Sequence, residues 1–391
     1  MLETIYLHIG SHKTGTSSIQ CFLEKNRESL IENYSLTYYK PDIWPLKFIG
    51  GKPDINLQLD GFDSLKQVQT NFAIISHENY SWLTSIEDIA RLYTKLSMYA
   101  KSIKIILYLR RQDSLAISQK QEGTKWMDNS IAFGHNISAL PVELNSYASM
   151  YLDFYTKVNK WAECFGKENM IIRLFEPNYL LNYDVVDDFL SVLNVFNGEK
   201  FINIGKVNES ISKIKQVFLH QTRWAFPEDS SGKELLVKRV LRMKLEGDNQ
   251  KLLPSRADAL QFYEQFIDGN IKLNDKYRLS DAEYLFSNDF KMYPEETTEE
   301  PLSTDQVIKI FSNIIKDFAE EIKEQDDYQK NSEKIAFWLR DVAKNVEESD
   351  LELALKLMMK AKSLKGNGPY INRKIEEYRF KLNLKNKDMY E

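Results

Sequence analysis

The chain has 391 residues and a formal net charge of −5, from 52 Lys and Arg against 57 Asp and Glu. At roughly 100–200 residues per domain, this length predicts two or three cooperative units. A composition of 43% hydrophobic and 28% charged residues excludes a wholly disordered or collagen-like chain. The acidic balance disfavours a globally basic nucleic-acid binder, and the two distant cysteines, Cys21 and Cys164, support neither a disulfide framework nor a structural zinc site.

The first residues carry no sign of export. Met1–Thr4 leads directly into a strand-like segment, without a basic region, an apolar region or a small-residue cleavage site. No apolar run approaches the roughly 18–20 residues that span a bilayer. We therefore expect a cytoplasmic protein.

The predicted elements begin with a buried strand at residues 4–9 (TIYLHI), which Gly10 ends. Apolar residues recur at near-helical spacing from Ser17 onward, so residues 10–16 form a loop between a strand and a helix. Further strand-like runs lie at residues 71–76 (NFAIIS), 103–109 (IKIILYL) and 170–174 (MIIRL). The intervals between these runs are long enough for crossover helices, which predicts an α/β fold with a parallel sheet flanked by helices.

Beyond about residue 195 the strand signals fade and helical patterns take over. Three apolar series at helical spacing lie at residues 335–342, 353–364 and 371–382. The acidic segment Pro294–Pro301 is bounded by prolines and is the strongest linker candidate. We predict a catalytic domain at residues 1–295, mostly helical after about residue 195, and a helical C-terminal domain at residues 302–391. The helix pair at residues 341–364 is faintly similar to a tetratricopeptide hairpin.

The loop between the first strand and the first helix has the composition of an anion-binding loop. Gly10–Ser18 reads GSHKTGTSS, and backbone N–H groups converge on an anion at such a strand-to-helix position. The two glycines have the G-x-x-x-x-G spacing of nucleotide-binding loops, so we predict a P-loop-type sheet. The lysine, however, is Lys13 in the middle of the loop, and Thr16 follows the second glycine. This displaced lysine argues against ordinary ATP or GTP hydrolysis.

The strand at residues 103–109 supplies a second departure from nucleotide hydrolases. It ends in Arg110 and Arg111 and not in an aspartate suited to holding magnesium. We therefore expect no metal in this site.

The segment HIGSHKTGTSSIQ resembles the sulfotransferases that use 3′-phosphoadenosine 5′-phosphosulfate (PAPS), in particular bacterial and Golgi-type carbohydrate sulfotransferases. The resemblance implies that the loop grips the 5′-phosphosulfate of the donor. It also implies that Arg110 and Ser118, an Arg-x7-Ser pair, bind the 3′-phosphate, although Gln112 stands where the family often has proline. The implied donor-binding residues are Ser11, His12, Lys13, Thr14, Gly15, Thr16, Ser17, Arg110 and Ser118.

The implied catalytic residues are Lys13, Glu78 and His12. Lys13 would stabilise the charge that develops on the leaving oxygen. Glu78 lies in Ser-His-Glu-Asn after the NFAIIS strand, which resembles the Ser-Glu-Asn strand end of the family, and it would deprotonate the acceptor hydroxyl. His77 and His12 are alternative bases. A later element, Asn208–Ser210, also resembles a family motif.

The resemblance implies sulfuryl transfer to a hydroxyl of a carbohydrate or glycolipid, with a carbohydrate or lipid-linked glycan as acceptor and no nucleic-acid partner. Two alternatives stay open: a kinase-like nucleotide-binding enzyme, and a non-catalytic adaptor with a degenerate nucleotide site. We expect the C-terminal helices to contact a protein partner or a membrane surface, and in the adaptor alternative they would bind the partner. An apolar stripe at helical spacing is predicted to be core, with sugar stacking as the alternative, and consists of Tyr147, Tyr151, Phe154, Val158 and Trp161.

Overall fold

A computed structural model of the chain describes residues 1–41, 46–49, 52–126, 132–134, 136–196, 201–203, 211–222, 231–245, 249–348, 350–365 and 368–387. The chain divides into two compact units, Met1–Ser303 and Thr304–Glu391. The motif Asn208–Ser210 lies outside the described residues.

The first unit is built on a five-stranded, wholly parallel sheet with the strand order β2-β5-β1-β6-β7. A separate antiparallel hairpin is formed by β3 and β4. The strands are β1 Leu2–His8, β2 Leu36–Tyr38, β3 Leu46–Ile49, β4 Lys52–Leu57, β5 Phe72–Ser76, β6 Ala100–Leu109 and β7 Met170–Leu174. The predicted α/β fold class and its four long strands are confirmed. Strand β2, whose three residues are too few to show a pattern, was not predicted, and neither was the hairpin.

Helices cover both faces of the sheet, as expected for parallel strands that are buried on two sides. The helices of this unit are α1 Thr16–Lys25, α2 Arg27–Tyr34, α3 Ile86–Ser97, α4 Gln112–Trp126, α5 Ser146–Leu152, α6 Phe154–Phe165, α7 Val185–Val192, α8 Lys213–Thr222, α9 Ser231–Arg242, α10 Arg256–Glu264 and α11 Ile267–Tyr277. The alternation of β6 shows the two faces. Ile105 and Leu107 belong to one core cluster with α3 and α6, whereas Ile106 and Tyr108 belong to a second cluster with α1 and α7.

Four residues of the predicted apolar stripe are buried and Tyr147 is half-buried, but the stripe does not form one helix. Asp153 separates α5 from α6, and its Oδ1 accepts a hydrogen bond from the Thr156 N–H at 3.0 Å, which caps α6. Tyr151, Phe154 and Trp161 are all at most 1% exposed. The core prediction is therefore confirmed.

The described residues of the second unit form three helices, α12 Thr304–Val346, α13 Leu351–Lys365 and α14 Pro369–Lys387. Its core contains small residues such as Ala336, Ala343 and Ala354, which let helices approach closely, together with Met358 and Tyr378. Within the described residues, no helix combines the length and apolar character that crossing a bilayer demands.

The proline-bounded segment before the second unit is packed on the first unit. Thr298 N–H donates to the Leu253 carbonyl at 3.0 Å, and the Glu299 carboxylate accepts from the Ala139 N–H at 2.6 Å. These hydrogen bonds hold the segment against the first unit up to the division at Ser303.

Candidate functional site

Three adjacent strands, β5, β1 and β6, bring the predicted site residues to one edge of the sheet. The carboxyl ends of parallel strands are where α/β folds place ligands. The Gly10 carbonyl accepts from Tyr108 N–H at 2.7 Å and Ser11 N–H donates to the Tyr108 carbonyl at 3.0 Å. The loop after β1 is therefore fixed to β6 two residues before Arg110.

Glycine is required at both ends of this loop. Gly10 and Gly15 have φ of 89° and 78°, a region that side chains rarely tolerate. A Cβ on Gly10 would lie 3.0 Å from the Glu78 Cα, and a Cβ on Gly15 would lie 2.6 Å from Val185 Cγ1. The absence of a side chain at Gly10 therefore allows Glu78 to lie directly against the loop.

The backbone of the loop presents unused donors at the start of α1. Within the described part of the chain, the N–H groups from Lys13 to Ser17 donate to no partner, and no side chain caps α1. The Thr14 hydroxyl turns inward and donates to the Ser11 carbonyl at 2.6 Å. The Ser11 Oγ is buried without a hydrogen-bond partner in the same described part. Free N–H groups at a helix N-terminus form a natural site for an anion.

Lys13 lies at the junction of the two predicted motifs. Its Nζ donates to Glu122 Oε2 on α4 at 3.0 Å, with side chains 24% and 30% exposed. Its carbonyl oxygen accepts from Arg110 Nη1 at 3.0 Å. Glu122 was not predicted, although it lies four residues after Ser118, one turn along the same helix face. That spacing places Ser118, 8% exposed, on the face of α4 that meets the loop.

Arg110 differs from its neighbour Arg111 in its partners. Arg111 is paired with Asp113 at 2.8 Å and donates to the Ser287 carbonyl at 2.7 Å, so it has a structural role. Arg110 forms no salt bridge within the described residues. Burial lowers the pKa of its guanidinium, although arginine remains charged in proteins. A half-buried guanidinium with no salt bridge among the described residues, beside free N–H groups, is suited to a second anionic group.

Glu78 begins a short 3₁₀ helix, Glu78–Trp82, directly after β5. Its Oε2 accepts from Gln20 Nε2 at 3.1 Å. Burial alone would raise the pKa of the Glu78 carboxyl, but the His12 imidazole, its own backbone N–H, His77 and Gln20 hold that pKa below its ordinary value. Glu78 is therefore an ionised carboxylate at neutral pH.

His12 is held by three side chains from two segments, Tyr151, Asn79 and Ser81. The Asn79 Oδ1 lies 3.2 Å from His12 Nε2 and can only accept, so Nε2 carries the ring proton of the neutral imidazole. Nδ1 therefore accepts from the Tyr151 hydroxyl at 2.8 Å. The same Tyr151 oxygen accepts from the His12 N–H at 3.0 Å, and the Ser81 hydroxyl donates to the Glu78 carbonyl at 2.7 Å. Burial lowers the pKa of His12 to about 4, so its imidazole is neutral.

His77 has a local structural contact. Its Nδ1 accepts from the Asn79 N–H at 3.1 Å and caps the Glu78–Trp82 helix. Burial lowers the pKa of this imidazole too, and Glu78 opposes the shift.

The structure thus brings Lys13, His12, Glu78 and Arg110 to one sheet edge, with Ser118 on the adjoining helix. It adds residues that the sequence analysis did not assign to the site, namely Gln20, Asn79, Ser81, Glu122 and Tyr151. Their contacts with the loop, or with Glu78 in the case of Gln20, join residues far apart in the chain, which no local spacing reveals. In the described ranges no cluster of three or more His, Cys, Asp or Glu is arranged to hold a metal ion.

Comparisons with known proteins show only low sequence identity between this chain and its matches. No protein-family profile matches the chain. An uncharacterized protein of Archaeoglobus fulgidus is 23% identical over 204 residues, which is 50% of this chain and 54% of that protein. The chain therefore spans about half the length of the curated relative it matches.

Two solved structures are similar over 72% of this chain. A sulfotransferase from Alicyclobacillus acidocaldarius is covered to 98% with 14% identity and a TM-score of 0.37. Mouse sulfotransferase SULT7A1 complexed with PAP is covered to 86% with 15% identity and a TM-score of 0.31. At such low TM-scores neither the fold nor an activity of this chain rests on these likenesses.

Proposed function

We propose that this chain is a sulfotransferase that moves a sulfuryl group from PAPS to a hydroxyl of a carbohydrate or glycolipid, in the cytoplasm. The observation that carries this proposal is the hydrogen bond between Arg110 and the Lys13 carbonyl. It joins the anion-binding loop to a second, half-buried cation. A donor with two separate anionic groups fits such a pair of sites.

The two anionic groups of PAPS match the two parts of the site. The free N–H groups of residues 13–17 would receive the 5′-phosphosulfate, and Arg110 with Ser118 would receive the 3′-phosphate. ATP has no 3′-phosphate and would leave the Arg110 guanidinium without an anionic partner. This difference favours PAPS over a nucleoside triphosphate.

Glu78 is the best-placed base for the acceptor hydroxyl. It is ionised and lies against the loop through the close approach of Gly10. Both ring nitrogens of His12 are already hydrogen-bonded, and His77 uses Nδ1 as a helix cap. We assign His12 and His77 to positioning, with His12 linking the loop to Asn79 beside the base.

In the proposed reaction Glu78 takes the proton of the acceptor hydroxyl, and the hydroxyl oxygen forms a bond to sulfur. The bond from sulfur to the bridging oxygen breaks, and its electron pair stays on the departing 3′,5′-bisphosphate. Lys13 would stabilise that oxygen, which requires its ammonium to exchange Glu122 for the donor. No group on the protein is covalently modified.

The test is mass spectrometry of neutral glycans and glycolipids incubated with PAPS and the full chain, which should gain one sulfuryl group. Glu78→Gln should abolish turnover and keep bisphosphate affinity, because the base is lost and the donor contacts remain. Lys13→Ala should lower kcat more than donor affinity. Glu87→Gln, on the exposed start of α3, is the matched control and should retain full activity. Full turnover by Glu78→Gln would disprove the assigned base.

A further inference from the structure

A second cleft, of about 340 Å³, lies in the first unit away from the loop. This volume is in the range of small-molecule sites. Its lining residues are Gln112, Leu144, Ser149, Leu152, Asp153, Phe154, Gln265, Phe266, Gly269 and Asn270. None of them belongs to the anion-binding loop or to the group of Glu78, Arg110, Ser118 and Glu122. The cleft is therefore separate from the site described above.

The buried part of the cleft wall is a pair of amides that satisfy each other. Gln112 Nε2 donates to Asn270 Oδ1 at 2.8 Å, and Asn270 Nδ2 donates to Gln112 Oε1 at 3.1 Å. Both residues are at most 2% exposed. This pair fixes α4 to α11 and gives the wall a rigid polar base.

Three other polar groups of the lining have unused hydrogen-bonding capacity. Asp153 Oδ1 caps α6, and Gln265 Nε2 donates to the Phe262 carbonyl at 3.3 Å. Among the described residues, the remaining oxygens Asp153 Oδ2 and Gln265 Oε1 and the Ser149 hydroxyl have no partner. A ligand in the cleft would meet two acceptors and one hydroxyl, which suit a molecule that supplies O–H or N–H donors.

The charge and the apolar surface of the cleft further limit the class of ligand that it can bind. Among the described residues that line the cleft there is no Lys, Arg or His, and Asp153 would repel an anion. Phe266 and Leu144, both half-buried, provide apolar surface beside the acceptors. A ring with hydroxyls at its edge and C–H groups on its faces matches both features.

We infer that this cleft binds a neutral sugar ring, as a docking subsite for a part of the acceptor away from the reacting hydroxyl. This inference rests on the proposed function. The cleft shares its framework with the donor site, since Leu152 and Asp153 directly follow Tyr151, whose hydroxyl holds His12. Gln112 likewise lies two residues after Arg110.

Saturation-transfer NMR on the full chain with lactose, maltose and cellobiose tests the subsite without donor. Ser149 is exposed on α5, so the Ser149→Tyr side chain should fill the cleft entrance without disturbing the core. This variant should abolish the saturation-transfer signal of the disaccharide. Asp153→Asn keeps the helix cap and should weaken binding several-fold by removing a charged acceptor. Ser191→Tyr, at an exposed serine of α7, is the matched control and should bind like the wild type.

The inference is overturned if none of the three disaccharides shows a saturation-transfer signal, or if Ser149→Tyr leaves that signal unchanged. It is also overturned if the small organic cation putrescine binds the cleft in place of the sugars. Calorimetry of the 3′,5′-bisphosphate on the same samples separates the two proposals. Bisphosphate binding without sugar binding overturns the subsite alone. Sugar binding without bisphosphate binding keeps the subsite as a sugar site and contradicts the sulfotransferase.

Discussion

The guanidinium of Arg110 donates a hydrogen bond to the carbonyl oxygen of Lys13, with 3.0 Å between Nη1 and the oxygen. The two residues lie 97 positions apart in the sequence and follow adjacent strands, β1 and β6. Arg110 therefore shapes the anion-binding loop through one of its donors. Its other donors face no carboxylate in a salt bridge within the described residues and can receive an anion.

Arg110→Ala should weaken binding of the 3′,5′-bisphosphate by roughly 2–3 kcal/mol, because a charged hydrogen-bond donor and a loop contact are lost together. The bisphosphate affinity of Arg110→Lys should lie between those of Arg110→Ala and the wild type, since an ammonium keeps the charge and lacks the fork of donors. Calorimetry measures the affinity of both variants. Arg91→Ala removes an exposed ion pair with Asp88 and serves as control. Equal affinities for Arg110→Ala and the wild type would remove Arg110 from the donor site.

Glu122→Gln should raise bisphosphate affinity, because Lys13 would no longer have to leave a carboxylate before it meets the donor. Both partners are partly exposed, so the pair is worth up to ~1 kcal/mol and the gain is at most about fivefold. Asp63→Asn breaks a comparable surface contact with Lys95 and should leave affinity unchanged. A large loss of affinity in Glu122→Gln would mean that Glu122 supports donor binding directly.

Tyr151→Phe should change the titration of His12. The Tyr151 hydroxyl donates to Nδ1 of the neutral ring, which disfavours protonation, so its removal should raise the pKa of His12 from about 4 toward the ordinary value. The free energy of unfolding should fall by roughly 1–3 kcal/mol, since buried donors lose their acceptor. Nitrogen-15 NMR of the imidazole reports both the tautomer and the pKa, with Tyr147→Phe on the same helix as control. A wild-type ring protonated on Nδ1 would contradict the assigned network.

Stability should fall as the pH drops from about 6.5 to about 4. His8 is fully buried in β1, and burial lowers the pKa of its imidazole to about 4, against the ordinary 6.5. In that pH window the unfolded chain binds the proton and the folded chain does not, so protonation favours unfolding. The contribution of His8 is on the order of 3 kcal/mol at the low end. Denaturant unfolding across this range should give a flatter pH dependence for His8→Gln, and an unchanged slope would refute the assignment.

The fold could be predicted where a pattern is long and local. The runs that became β1, β5, β6 and β7 are each at least five residues and rich in buried aliphatic side chains. β2 has three residues, and its place at the sheet edge is fixed by pairing with β5. Such pairing depends on tertiary contacts that periodicity does not encode.

The site residues likewise divide into those that the sequence predicts and those that only tertiary contacts bring together. The loop around Lys13 and the Arg110–Ser118 spacing are contiguous in sequence and could be recognised there. The contacts of His12 with Tyr151 and of Lys13 with Glu122 span 139 and 109 residues. Tyr151 belongs to a helical apolar stripe, and only the fold shows that its hydroxyl reaches the loop.

The most direct test of the central claim is calorimetry of the full chain with the 3′,5′-bisphosphate of adenosine in the presence of a chelator, compared with ATP and magnesium. The proposed pair of anion sites predicts that the bisphosphate binds without metal and far more tightly than AMP, ADP or ATP. Preference for ATP that depends on magnesium would contradict the claim and favour a kinase-like enzyme, and binding of none of these nucleotides would favour a non-catalytic adaptor.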